Sequence, residues 1–222
     1  MIKRTLLLGD YNTAVQFWTL SSWNLTKPAK KETLVEVPAS DVVLDLSTAL
    51  TDGGVHYSPR TFTAILETSE GDRLTRKRRI SEMINQLDGQ QLHIILPDDD
   101  SHYLVGWVSI QELYNDPAHA SVQIDAVCEP WLYSDEETAA ILQAALDEKG
   151  ASLTNSGRLS VVPSVEIAGG DVNMRFLTNN ATWSLSPGTY YLPDLYLTPG
   201  THRVRYSGTG QIIIKYREAV LA

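Results

Sequence analysis

The sequence predicts a mainly β protein in two parts, and three observations carry that expectation. Apolar and polar residues alternate with a period of two along most of the chain, as half-buried strands require. Turn formers cut the alternation into short runs, at Gly169-Gly170, Ser186-Pro187-Gly188, Thr198-Pro199-Gly200 and Gly208-Thr209-Gly210. Composition also changes after Pro130-Trp131, where a charged and alanine-rich stretch separates two β-rich regions.

The elements follow in order. Met1-Ile2-Lys3-Arg4 with Leu6-Leu7-Leu8-Gly9 has the outline of a signal peptide, but its apolar run is short and Asp10 closes it, so it reads as a first strand. In Thr61 to Glu67, Phe62, Ala64 and Leu66 share one face. From Thr75 to Leu87 the period changes: Ile80, Met83, Ile84 and Leu87 recur at helical spacing and Gly89 follows as a stop, which predicts one amphipathic helix over about 75–88. Gln91 to Leu96 and Tyr103 to Ile110 flank Pro97-Asp98-Asp99-Asp100-Ser101, a cluster of turn residues, and predict a β-hairpin. Ser121 to Glu129 places Val122, Ile124, Ala126 and Cys128 on one side.

Beyond Trp131 local chemistry favours a helix over 135–148. Ser134 with Glu137 matches a capping box, Ala139 to Glu148 has strong helix propensity, and Gly150 ends it. The chain then returns to strands at Val161-Val162, Val165 to Ile167, Val172 to Phe176, His202 to Tyr206 and Gln211 to Tyr216. Short strands between Gly/Pro turns point to a sandwich or jelly roll.

Bulk properties restrict function. A chain of 222 residues makes one large domain or two small ones and can bury a core without cross-links. The lone Cys128 has no internal disulfide partner, which fits a reducing compartment. No run reaches the ~18 apolar residues of a membrane span. With 27 acidic against 18 basic residues the net charge is −9, which opposes tight binding to a phosphate backbone.

Candidate chemistry is sparse. His56, His93, His102, His119 and His202 are scattered and form neither an HExxH pair nor a Cys-His set, and no G-x-S-x-G elbow occurs. Asp98-Asp99-Asp100 offers hard oxygen ligands but lacks the spacing and distal Glu of a calcium loop, so an exposed turn explains it better. Arg73-Leu74-Thr75-Arg76-Lys77-Arg78-Arg79 holds five cations in seven residues. It opens an amphipathic helix without interleaved aromatics, which favours a solvated face or a charged contact with a neighbouring subunit over nucleic acid. The two glycine turns match no phosphate-binding loop. Phe17-Trp18, Trp23, Trp107, Trp131, Trp183 and Tyr190-Tyr191 serve either a core or a sugar-stacking surface. No catalytic, cofactor-binding or metal-ligating residue is assigned.

Several segments together resemble the distal tail proteins of long-tailed, non-contractile phages. They are Val37-Pro38-Ala39-Ser40-Asp41 through Leu44-Asp45-Leu46, Tyr57-Ser58-Pro59-Arg60-Thr61-Phe62, Ile84-Asn85-Gln86-Leu87-Asp88-Gly89, the hairpin Ile94 to Val108, and Glu129-Pro130-Trp131-Leu132-Tyr133. In the second half they are Asn155-Ser156-Gly157-Arg158, Pro163, Leu185-Ser186-Pro187-Gly188-Thr189-Tyr190, Leu195 to Gly200, and the ending Gly208-Thr209-Gly210-Gln211-Ile212-Ile213-Ile214-Lys215-Tyr216-Arg217-Glu218-Ala219. Each motif is mostly turn and strand residues; their order and spacing carry the resemblance.

The resemblance implies a β-sandwich-like ring-forming domain over 1–133, with the helix and hairpin, and a galectin-like β-sandwich over 134–222. It further implies a hexameric ring in a phage or prophage tail tip, joining the tail tube to a tail-associated hub protein and receptor-binding proteins, with DNA only as passing cargo. Such a part has interfaces and no catalytic residues or cofactor. It also implies strands over Glu137 to Leu146 and Ala151 to Thr154, against the local helix reading. A carbohydrate-binding sandwich module is the alternative from another class, and an enzyme is the third.

Overall fold

In the computed structural model, residues 5–36, 38, 41–49 and 54–221 are described. Met1 to Arg4, and Val37, Ala39 and Ser40 of the Val37-to-Asp41 segment, lie outside them. The chain divides into two compact units, one ending at Pro130 and the other Trp131–Leu221.

The first unit contains β1 (Leu7–Leu8), β2 (Tyr11–Asn12), β3 (Thr19–Leu25), β4 (Leu34–Glu36), β5 (Val43–Asp45), β6 (Arg60–Thr68), α1 (Arg73–Leu87), β7 (Gln91–Leu96), β8 (Asp99–Asn115) and β9 (Ala120–Cys128). Seven strands form an antiparallel sheet in the order β2-β1-β7-β8-β9-β6-β3. Register explains its core. Phe62 opposes Ala126 and Ala64 opposes Ile124, while Ala126 and Ile124 face Val108 and Ile110 across the next ladder. All of these are buried, so the period-two pattern seats one continuous apolar face.

Helix α1 packs against β8 and β9. It buries Ile80, Met83 and Leu87, the residues that set its period, and Arg76 with them. It starts at Arg73, two residues before the sequence pattern does, because Asp72 caps it by accepting from the Thr75 N–H at 2.7 Å. At the other end Gly89 has φ +71, a conformation that lets the chain reverse into β7. The β7–β8 hairpin forms as expected, with a tighter turn, since Leu96 already pairs with Asp99.

The second unit is a β-sandwich. Its strands are β10 (Leu132–Ser134), β11 (Thr138–Gln143), β12 (Lys149–Asn155), β13 (Ser164–Ala168), β14 (Val172–Phe176), β15 (Thr182–Leu185), β16 (Gly188–Tyr191), β17 (Gly200–Gly208), β18 (Gln211–Tyr216) and β19 (Ala219–Val220). Two four-stranded sheets, β11-β18-β13-β16 and β12-β17-β14-β15, enclose a single core. One sheet gives Val165, Ile167, Ile212 and Ile214, and the other gives Leu153, Met174, Phe176 and Val204. A short β10–β19 ladder, Leu132 opposite Val220, closes the unit.

The helix expected from local chemistry over 135–148 does not form; the strands implied by the resemblance do. Residues Thr138–Gln143 make a six-residue ladder with β18, from Thr138 opposite Tyr216 to Gln143 opposite Gln211. Every second residue, Ala140 and Leu142, then packs partly against the core. Helix propensity is worth only a few tenths of a kcal/mol per residue, ~0–0.7, and a ladder along the whole segment outweighs it. Ser134 does not cap: its N–H donates to the Glu218 carbonyl at 2.9 Å. The expected strand at Val161-Val162 reduces to one bridge, Val161 with Leu197.

Candidate interaction surfaces

The charged groups singled out in the sequence resolve mostly into structure. Asp99 sits at the hairpin turn and accepts from the Ser101 N–H at 3.1 Å and hydroxyl at 2.7 Å, with His102 Nδ1 at 2.9 Å. Burial alone would raise the Asp99 carboxyl, but these partners outweigh it and hold it below the usual range. The five histidines do not gather into one group. His202 is buried between Thr178 and Thr198, and His93 stacks on Tyr103 at 4.2 Å. Among the described residues no group of three or more His, Cys, Asp or Glu comes close enough to hold a metal.

The basic cluster is divided by the helix. Arg76 is buried and donates to the carbonyls of Gly71, Asp116 and Pro117. Arg79 donates to the Glu70 carbonyl at 3.0 Å, and its guanidinium lies 4.7 Å from the centre of the Phe17 ring. Phe17 itself has φ +63, unusual for a bulky residue, and its ring is half exposed. Arg73, Lys77 and Arg78 remain on the exposed side. This matters because the chain up to Pro130 holds eighteen acidic against eleven basic residues, and five of those eleven bases lie within Arg73 to Arg79. Positive charge is thus concentrated on one helix of an acidic unit.

The aromatics also divide. Trp18 is buried, Trp23 lies 6.4 Å from Phe62, and Trp183 packs partly against the sandwich core. Trp107 differs. It opposes Val127 on the sheet face turned away from the core, and both are more than half exposed, at 59% and 58%. With Tyr57, Pro59 and Val105 they line a shallow depression of about 310 Å³.

The surface that sequence reasoning missed is a ribbon. Between β3 and β6 the chain leaves the sheet and forms the two-stranded β4–β5 pair, with Leu34 opposite Asp45, Val35 opposite Leu44 and Glu36 opposite Val43. All six residues are exposed. Val35 and Leu44 share one face and Val43 lies on the other, so both faces carry uncovered apolar side chains. An isolated hairpin is marginal in water, and exposed apolar patches mark association surfaces. The available signal was the apolar run Val42-Val43-Leu44 flanked by Asp41 and Asp45, which is too short for periodicity to register.

The sequence matches no protein-family profile and no curated protein. The fold does match solved structures. The crystal structure of the phage SPP1 Dit protein (gp 19.1), described as a paradigm of the hub adsorption apparatus in phages infecting Gram-positive bacteria, superposes with a TM-score of 0.69. The match is 11% identical and covers 96% of this chain and 98% of that one. This chain has the fold of a phage hub protein. A chain of the phage p2 baseplate in its activated conformation is similar too, with a TM-score of 0.52, 8% identity, and 96% and 97% of the two chains covered. Both matches run through the β-sheet unit with its helix and on through the sandwich, so the mainly β architecture is shared along nearly the whole chain.

Proposed function

We propose that this protein is a structural component of a phage or prophage tail tip, a distal tail protein that closes into a hexameric ring. In this reading residues 1–133 build the ring and residues 134–222 form the sandwich domain. The ring joins the tail tube protein to a tail-associated hub protein, offers attachment to receptor-binding proteins, and lets DNA pass. It is assembled in the bacterial host cytoplasm, works at the virion tail tip and catalyses no reaction. No helix among the described residues is long and apolar enough to cross a membrane.

The observation that carries the reading is the end-to-end match, through both units, to a phage hub protein. Two surface features support self-assembly. Ring closure needs a heterologous interface, in which two different patches of one subunit meet each other's counterparts on the next. The exposed β4–β5 ribbon and the basic face of α1, set in an otherwise acidic unit, are two such unlike patches. A chain of net charge −9 also suits a passage through which DNA slides without adhering.

The test is solution mass by light scattering on a sizing column over a wide concentration range, followed by negative-stain imaging. Hexamers, or a shift toward them with concentration, are expected, with rings in the images. Monomers at every concentration, with no rings in the presence of the tail tube and hub proteins, would overturn the reading.

A further inference from the structure

The sheet β12-β17-β14-β15 turns one face to the core, through Met174, Phe176 and Val204, and the other to solvent. On the solvent face Arg175 and Arg205 stand directly opposite each other on β14 and β17. Like charges placed so repel, and nothing in the packing requires them, since both side chains are exposed. Arg203, one step along β17, adds a third cation to the same face. Glu148 offsets one of the two charges, and the like-charge opposition that remains points to an anionic ligand.

The two guanidiniums are held in place. Arg205 Nη1 donates to Glu148 Oε2 at 2.9 Å. Arg175 Nη2 donates to Asn180 Oδ1 at 2.7 Å, and Asn180 occupies the left-handed region, φ +59, in the turn between β14 and β15. The adjoining row consists of neutral hydrogen-bonding groups: Asn173 lies opposite Ser184 on one side and Ser207 on the other, and the Ser184 hydroxyl donates to Asn173 Oδ1 at 2.7 Å. Glu148, Asn173, Arg175, Ser184, Arg205 and Ser207 line an open groove of about 250 Å³, edged by Trp183. Opposite Arg205 on β12 stands Gly150, which presents no side chain.

We propose that this groove binds a saccharide bearing an anionic group, the anion taken by Arg175 and Arg205 and the ring hydroxyls by Asn173, Ser184, Ser207 and Glu148. Guanidinium forks match carboxylate and phosphate oxygens in geometry as well as charge. Asn173, Ser184 and Ser207 both donate and accept and Glu148 accepts, as a polyhydroxylated ring demands, while Met174 and Tyr206 are buried in the core rather than forming an apolar floor that would seat a protein segment. The size admits one or two sugar rings, so binding is weak at one site and strengthened when several copies act together.

Isothermal titration and amide NMR shifts on the full chain test this, with glucuronate, glucose 6-phosphate, glucose and inorganic phosphate as probes. One of the two acidic sugars is expected to bind at least 10-fold more tightly than glucose and than phosphate, with shifts at Asn173, Arg175, Ser184 and Arg205; which one does so identifies the anion as carboxylate or phosphate. Arg175→Ala and Arg205→Ala, each on an exposed position, should each lower that affinity at least 10-fold with unchanged urea midpoints. No binding of either acid at tens of millimolar, phosphate binding as tightly as glucose 6-phosphate, or affinity indifferent to both substitutions would each overturn the proposal. Ring formation is read from solution mass, so failure here leaves the assembly reading standing.

Discussion

Arg76 Nη2 donates to the main-chain carbonyl of Asp116 at 2.7 Å, tying the first turn of α1 to the turn between β8 and β9. The same guanidinium reaches the carbonyls of Pro117, at 2.9 Å, and Gly71. Asp116 in turn organises its own loop, with its carboxylate accepting from the N–H groups of Ala118 at 2.8 Å and His119 at 2.6 Å. Those main-chain donors, His119 first, hold its carboxyl below the usual range. One residue of a run that reads as a surface patch is therefore a buried clip holding the helix to the sheet.

Arg76→Met should consequently destabilise the first unit strongly. It removes a charge-assisted donor set of a buried guanidinium from the carbonyls of Gly71, Asp116 and Pro117, at a cost of roughly 1–3 kcal/mol. Arg78→Met, two positions on and exposed, should change stability by less than ~0.5 kcal/mol. Urea unfolding of both variants decides; equal midpoints would mean that the clip contributes nothing.

Gly106 and Cys128 meet across the β8–β9 ladder so closely that a Cβ on Gly106 would stand 2.6 Å from Cys128 Sγ. Gly106→Ala is expected to cost roughly 1–3 kcal/mol by overpacking. Cys128→Ala removes the sulfur, and the next atoms, at 3.3 and 3.4 Å, are tolerable with small shifts. The double variant should then be more stable than the sum of the two single changes predicts, a coupling that a double-mutant cycle measures. Strict additivity would show that the sulfur is not the obstacle.

Alkaline pH should weaken the fold through two groups. Burial pushes the Cys128 thiol up to about 11 and the Tyr11 phenol up to about 12. A group whose folded pKa is raised stabilises fully below its unfolded value and loses that contribution as pH climbs through the folded value. Stability should therefore be flat from these groups below pH 9 and fall between roughly 9 and 12. Cys128→Ala should flatten the first part of that decline. Native protein at pH 8 should also resist a thiol reagent that reacts at once in denaturant; rapid native labelling would contradict the buried, protonated thiol.

What the sequence revealed followed from where local pattern and tertiary demand agree. Phe62, Ala64 and Leu66 alternate because they line one face of β6, and Ile80, Met83 and Leu87 repeat because they line one face of α1. Sequence reading failed where the two disagree. The alanines around Ala139 favour helix, yet the edge of the sandwich recruits them as a strand through backbone pairing that leaves no local mark. Strands β15 and β16 were hidden by brevity, at four residues each. The interaction surfaces were least legible. Exposure of Trp107 or Val35 is decided by which neighbours the fold supplies, and the Arg175–Arg205 opposition exists only in the register of two strands thirty positions apart.

The disputed segment supplies its own check. Ala139 is exposed on β11 and pairs with Lys215. On an edge strand Ala139→Val should leave stability unchanged or raise it by up to ~0.5 kcal/mol, because β-branching suits a pleated strand. In a helix the same change would cost about 0.5 kcal/mol. Thermal unfolding of the variant gives the sign, and a clear loss would restore the helix reading.

The ribbon gives the sharpest prediction about assembly. Val35 and Leu44 face each other across β4 and β5, exposed at 41% and 48%, so neither contributes much to the stability of the isolated subunit. Replacing both with serine should shift the unfolding midpoint of the monomer by less than ~0.5 kcal/mol in free-energy terms. If the ribbon is one half of a heterologous interface, the same pair of changes removes buried apolar contacts from every junction of the ring. A closed ring repeats that loss at each junction, so a small defect per contact becomes a large one per particle. Light scattering of V35S/L44S should accordingly give monomers at concentrations where the unaltered protein assembles. A ring of unchanged mass and unchanged concentration dependence would remove the ribbon from the interface, and the basic face of α1, through Lys77→Glu with Arg78→Glu, would be the next surface to reverse.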